Sequence, residues 1–398
     1  MTQSRTHQRS SFLLGLAIAV VGSRALAQPE PPEPPPPVEP WYEALQFSAF
    51  VDGYTSFNYN LPPSVEDANT LRVNDQSNGF ALSWAGADVG AEPDPVGGHI
   101  GLRFGPLAHS LCGQGRSEDC YQSGLDMLAQ AFASWRPGGS GGPLRIDFGK
   151  FTTPYGLEVA ESQDNINYTR GLLFSLLAPS SHTGFRAEYA VGEHVVLRAL
   201  VVNGWNNSID DNPEKTFGFQ AQYRPSRVWS LRLGWLGGAE GSSQAVRWRG
   251  FGAWRHLLDA LVECRPFETL QLALSGSWLQ DELTLEPDLA GLRTMRRTAR
   301  WYGALLGAQQ ELSSLWALSA RVEAVADPQG AVSHVPDAVL SSATLTLQAT
   351  PTDNLLVRLE HRGDFMLSAD GSRRFFPGDG GPRSHQFTTT LGVVVVAD

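Results

Sequence analysis

A chain of 398 residues with 30 basic and 41 acidic side chains carries a formal charge of −11. That balance argues against a nucleic-acid partner, which needs concentrated basic surface. Hydrophobic residues make up 42%, yet past the leader no apolar stretch approaches the roughly 20 residues a membrane helix needs, so helix-spanning membrane proteins are excluded. A membrane β-barrel, apolar at only every second strand residue, is not.

Residues 1–27 read as a signal peptide: Arg5 and Arg9 form a basic start, Phe12 to Val21 an apolar core, and Ala25-Leu26-Ala27 a small-x-small cleavage site. The mature chain is expected to begin at Gln28. Residues 28–45 are a Pro/Glu-rich periplasmic spacer, since Pro29 to Pro40 resists compact folding and favours extended polyproline II. The barrel is assigned to 46–398.

From there the sequence repeats a strand with alternating apolar and polar residues, a tight turn, and a second such strand. Strands are predicted at 46–60, 78–92, 98–107, 125–136, 143–153, 181–190, 195–205 and 215–224. The second half adds 229–237, 253–264, 269–280, 299–311, 315–327, 340–349, 354–363 and 384–397, giving an even total of about 16. Short connections at Pro93–Gly97, Pro137–Gly142, Val191–His194, Pro225–Val228, Arg265–Glu268, Leu312–Ser314 and Thr350–Asp353 alternate with long polar ones. Short periplasmic turns and long outer loops are the expected signature of an antiparallel transmembrane β-barrel in a bacterial outer membrane. Several turns are centred on proline, at Pro225, Pro266 and Pro351.

The alternation also sorts the faces. Leu231, Leu233 and Trp235 fall on one face and Ser230, Arg232 and Gly234 on the other. Trp84, Trp135, Trp205, Trp229, Trp235, Trp254, Trp278, Trp301 and Trp316 lie near predicted strand ends and read as interfacial girdles. Cys112 and Cys120 could close a small disulfide loop in an oxidising envelope, leaving Cys264 unpaired. No cysteine or histidine spacing suggests a metal, and no cofactor is implied.

Phe47 to Asn60 reads FSAFVDGYTSFNYN, and Ile146 to Tyr189 carries FGKF, PYG, NYTR and HTG in series. VVNGWNN follows at Val201 to Asn207 and TPTDNLLVRLEHR at Thr350 to Arg362. Over nearly all of Phe47 to Val396 the chain resembles the OmpL-like beta-barrel porin-2 family of bacterial outer membranes. The resemblance implies a pore for small solutes and supplies no substrate. One departure bears on recognition by the barrel-assembly machinery: relatives end in an aromatic residue, whereas this chain ends Val395-Val396-Ala397-Asp398.

In a water-filled barrel the inward face decides what passes. The pattern places Arg103, Arg145, Arg186, Arg198, Arg232, Arg321, Arg358 and Arg362 inside, with Asp147, Glu188, Asp259, Glu323 and Glu360. They either set up a field across a narrow opening or pair along the wall and keep the lumen hydrated. The longest connection, Thr153 to Ser180, is the third outer loop. Glu158, Glu161, Asp164, Asn165, Asn167 and Arg170 are its candidate constriction residues, the alternative being a loop packed over the rim.

The leading expectation is a porin-like channel passing small hydrophilic solutes or ions, surrounded by outer-membrane lipids and lipopolysaccharide and compatible with a homotrimer. A plugged structural or adhesive barrel is the alternative. Its ligand-binding outer loops would be Asp281–Thr298 and Asp364–Arg383, whose Arg296-Arg297 and Arg373-Arg374 could meet lipopolysaccharide phosphates. A barrel enzyme, lipase or protease, ranks last. None of the nine histidines lies in a nucleophile motif, and neither GxSxG nor HExxH occurs.

Overall fold

A computed structural model describes residues 41–63, 69, 71–73, 78–113, 124, 127–210, 214–240, 254–284, 296–373, 375 and 381–397. The expected signal peptide, most of the expected spacer, Cys120 and Arg374 lie outside these residues. One compact unit, Ala44–Asp398, carries the sheet.

Sixteen antiparallel strands close on themselves. They are β1 (Gln46–Asn58), β2 (Gly79–Ala91), β3 (Val96–Phe104), β4 (Leu128–Trp135), β5 (Leu144–Thr152), β6 (Ser181–Val191), β7 (Val195–Val202) and β8 (Thr216–Tyr223). The series continues with β9 (Trp229–Ala239), β10 (Trp254–Phe267), β11 (Leu270–Thr284), β12 (Arg296–Glu311), β13 (Trp316–Asp327), β14 (Ala338–Thr352), β15 (Leu355–Leu367) and β16 (His385–Ala397). Each strand pairs with its sequence neighbours, and β1 pairs with β16 from Ala49 opposite Ala397 to Asn58 opposite Thr388. Closure leaves no unpaired edge, which a lipid environment would not tolerate.

The expected strand count holds, and two proline turns shift. Strand β10 runs through Pro266 and β14 through Pro351, with register breaks between Cys264 and Phe267 and between Ala349 and Thr352. Proline lacks an amide to donate, so a bulge absorbs it and the turn forms one step later. The outer ends also run on: β11 extends to Thr284, β12 begins at Arg296 and β15 includes Asp364. Arg296 and Arg297 therefore belong to a strand, not to a loop.

The exterior is apolar by alternation. Phe148, Phe185, Leu233, Leu274, Leu306, Val322 and Leu345 all point out, between 51% and 66% exposed. Phe148 and Phe185 stand side by side on β5 and β6 with ring centroids 4.5 Å apart, a cross-strand pair. Trp135, Trp229, Trp254 and Trp316 are outward and at strand ends, as a girdle requires. Trp84 and Trp301 are not in a girdle: they point inward, 1% and 5% exposed. Trp301 Nε1 donates to Leu176 O at 3.0 Å, a partner that period-two reading could not reveal.

The interior is not uniformly polar. On the outer-loop side of β9 to β14, Leu236, Leu257, Leu279, Trp301, Leu305, Val325 and Leu340 turn inward. They bury against Leu172, Leu173 and Leu177 of the third loop, Val335 and Phe375. At about 1.5–3 kcal/mol per fully buried aliphatic side chain, this plug is a major stabilising element. It fills the outer-loop end of that side of the lumen.

Candidate functional site

The connection between β5 and β6, residues 153–180, does not sit on the rim. Its two ends stay together, Thr153 N donating to Ser180 O at 3.2 Å. His182 of β6 ties the first end to the next outer loop, Nε2 3.1 Å from Thr153 Oγ1 and Nδ1 3.2 Å from Gly204 O, so both ring nitrogens are engaged. From there the loop descends into the barrel, with a short helix, α2 (Leu172–Leu176), in its second half. A first helix, α1 (Pro106–Gly113), belongs to the preceding outer loop.

A loop inside a protein carries backbone groups that no ladder satisfies, and each costs free energy if left bare. Here the wall supplies the partners. Asp259 Oδ1 accepts from Gly156 N at 3.1 Å, Glu360 Oε2 from Tyr168 N at 2.7 Å, and Glu323 Oε2 from Leu172 N at 2.6 Å. Asp52 accepts from Tyr168 Oη at 2.7 Å and from Ser162 Oγ at 2.5 Å.

Arginines take the carbonyls. Arg358 donates to Ser162 O (2.5 Å), Asn165 O (2.6 Å) and Asn167 O (3.1 Å), and Arg362 Nη1 to Arg170 O (2.6 Å). Arg321 Nη1 reaches both Glu158 Oε1 and Thr169 O. Both signs of wall charge are used, because both kinds of backbone group need a partner.

The inward charges thus divide in two. Arg321, Glu323, Arg358, Glu360, Arg362 and Asp259 are buried under the loop. Arg145, Arg186, Arg198 and Arg232, on β5, β6, β7 and β9, keep 19–23% of their side chains exposed. Register makes these a checkerboard: Arg145 lies opposite Glu188, Asp147 opposite Arg186, and Glu188 opposite Arg198. Arg145 and Arg186 flank Asp147 at 2.8 and 2.7 Å, Arg198 meets Glu188 at 2.7 Å, and Arg232 meets Glu263 at 3.3 Å. Pairing runs along the wall. Arg103 bridges the wall's Asp88 (2.8 Å) and the loop's Glu161 (2.9 Å), lying over the Phe50 ring at 4.9 Å.

The six loop residues divide likewise. Glu158, Asn165, Asn167 and Arg170 are buried in the anchoring network, whereas Asp164 reaches solvent with Glu161 beside it. Burial, reinforced by Glu161, raises the Asp164 pKa, with Arg358, Arg103 and Arg170 opposing. Burial and Asp52 keep the Tyr168 phenol protonated well past its ordinary range. Beneath the loop a cavity of about 90 Å³ is lined by Glu158, Asp164, Asn165, Glu263, Gln271 and Arg321, among others.

Sequence reasoning missed Asp52, Tyr155 and Tyr168. Asp52 had a legible signal, since it shares the inward parity of β1 with Phe50 and Tyr54. The two tyrosines fall in the PYG and NYTR motifs, but loops carry no periodicity to say where their rings point. The expected Cys112–Cys120 bond rests on a residue outside those described, and Cys264, on β10, is a free thiol.

The family model described as "Putative beta-barrel porin-2, OmpL-like" matches residues 44–396. Among solved structures, the outer membrane channel DcaP of Acinetobacter baumannii is similar at TM-score 0.59 and 10% identity, over 89% of this chain and 97% of that one. The trimer form of Vibrio cholerae OmpT is similar at 0.54 and 11%, over 89% and 99%. Salmonella typhi OmpF, in complex with daunomycin, gives 0.52 and 12%, over 89% and 97%. At these identities the likeness is one of fold. No curated protein matches.

Proposed function

The chain belongs to the OmpL-like beta-barrel porin-2 family, porin channels of the bacterial outer membrane, and from that premise we propose that it passes small hydrophilic solutes and ions by diffusion. The route is the β2–β9 side of the lumen, with the third loop as its constriction. One observation carries this reading: the β5–β9 arginines remain wet while the inward charges under the loop are buried. Alternating signs along a hydrated wall keep water and polar solutes in contact with the surface at little net field. Such a wall favours weak ion preference over strict selectivity. Diffusion needs no covalent chemistry, and none is assigned.

A three-fold assembly fits this reading, as the trimer form of Vibrio cholerae OmpT illustrates. Lipopolysaccharide around the barrel and the assembly machinery at insertion complete the partners. The test is refolded protein in a planar bilayer, with the reversal potential measured in a salt gradient. Defined open steps with a small reversal potential support the channel. A folded but silent barrel would replace it by the plugged alternative, which draws on the apolar core filling the β9–β14 side.

A further inference from the structure

Two tyrosines of the third loop sit on wall positions that have no side chain. Tyr168 lies against Gly392 of β16, where an added Cβ would fall 2.2 Å from its Cδ2 and 2.3 Å from its Cε2. Tyr155 lies against Gly218 of β8 and Gly234 of β9, where a Cβ would fall 2.5 Å from its Oη and 2.6 Å from its Cε1. Carbon atoms in contact keep about 3.5–4.0 Å apart. Neither ring could occupy its place if these wall residues were alanine.

Each seat is completed by its neighbours. Gly392 pairs with Tyr54 on one side and Arg358 on the other. The Tyr54 ring packs on Tyr168 at 5.9 Å, and Arg358 holds the carbonyls just before it. At the other seat Tyr155 Oη donates to Trp235 O at 2.9 Å. Both tyrosines are at most 2% exposed.

The seats face each other. In a closed ring of sixteen strands, β16 and β8 are eight positions apart, which is diametrically opposite. The segment between Tyr155 and Tyr168 therefore crosses the whole lumen, fixed to the wall at both poles.

We infer that Gly218, Gly234 and Gly392 are positioning residues whose missing side chains set where the third loop lies and hence the open cross-section. This rests on the channel reading above. A methyl group at 392 drives Tyr168 off the wall, breaks its bond to Asp52 and pushes the loop into the open side. Removing the tyrosine empties the seat, so the same methyl group then has nothing to displace.

The test is a double-mutant cycle read as single-channel conductance, with folding checked by the barrel's resistance to unfolding in detergent. Gly392→Ala is expected to lower conductance and add flicker in the otherwise native chain, and to leave the conductance of Tyr168→Ala unchanged. An equal change on both backgrounds, or none on either, overturns the proposal. Should Gly392→Ala fail to fold, Tyr155→Ala and Tyr168→Ala each free one pole. Together they should raise conductance by more than the product of the single effects, and a merely multiplicative result overturns it. A native chain that never conducts would sink the channel reading itself.

Discussion

Arg321 of β13 and Glu158 of the third loop, distant in sequence, meet through a charge-assisted hydrogen bond of 2.5 Å, both side chains buried inside the barrel. The same guanidinium lies 3.4 Å from Glu323, whose carboxylate holds the start of α2. Removing one partner of such a pair leaves a buried charge uncompensated, at a cost of about 3–5 kcal/mol. Arg321→Ala should therefore lower the denaturant midpoint of the folded barrel markedly, whereas Arg198→Ala, at the wet wall, should shift it by about 1 kcal/mol or less. Equal shifts would show that the loop contributes no buried network.

How much of this was readable follows from where each feature gets its signal. Strand positions came through because period two and turn chemistry are local. The wet arginines each sit in an unbroken alternating segment, as Arg186 does between Phe185 and Ala187, so their face is a local feature. The use of Arg358 was not legible: the carbonyls it binds belong to residues 162–167. Trp84 was misread for a related reason. A bulge opposite the Asp52 to Gly53 step changes the parity of β2, so Ser83 and Trp84 are both buried, and alternation cannot signal a bulge. Long-range satisfaction of a loop's backbone leaves no periodic trace.

Asp164 gives a pH signature. Its pKa is raised, so the folded chain favours the protonated form. That preference is fully present below the ordinary carboxylate pKa and is lost as pH rises through the raised one. Acidification therefore removes a negative charge from the opening at a higher pH than a free aspartate would. Reversal potentials should show cation preference falling in the window just above the ordinary carboxylate range. Asp164→Asn should start with less cation preference and lack that step. A native profile flat across the window would mean that Asp164 does not face the ion path.

Tryptophans should separate by environment. Trp135, Trp229, Trp254 and Trp316 face outward at strand ends and should be quenched by brominated lipid. Trp84 and Trp301 are shielded by the wall. In variants that retain only Trp84 or only Trp301, the brominated lipid should quench little, and strong quenching there would contradict their inward placement.

Deleting Glu161 to Arg170 removes Ser162, Asn165, Asn167, Tyr168 and Thr169, the residues that engage Asp52, Arg358 and Glu360. Those wall groups are charged, and they stay inside a barrel whose strand ladder the deletion does not touch. With the loop gone, water replaces its backbone as their partner, so the charges become hydrated instead of stranded, and the barrel should still fold. The lumen then gains the space the segment filled, along with several newly wetted charges. Single-channel conductance should rise clearly above that of the full chain, with less dependence on pH because Asp164 has been lost. A deletion variant that folds and conducts at the native level would show that the narrowest section lies elsewhere.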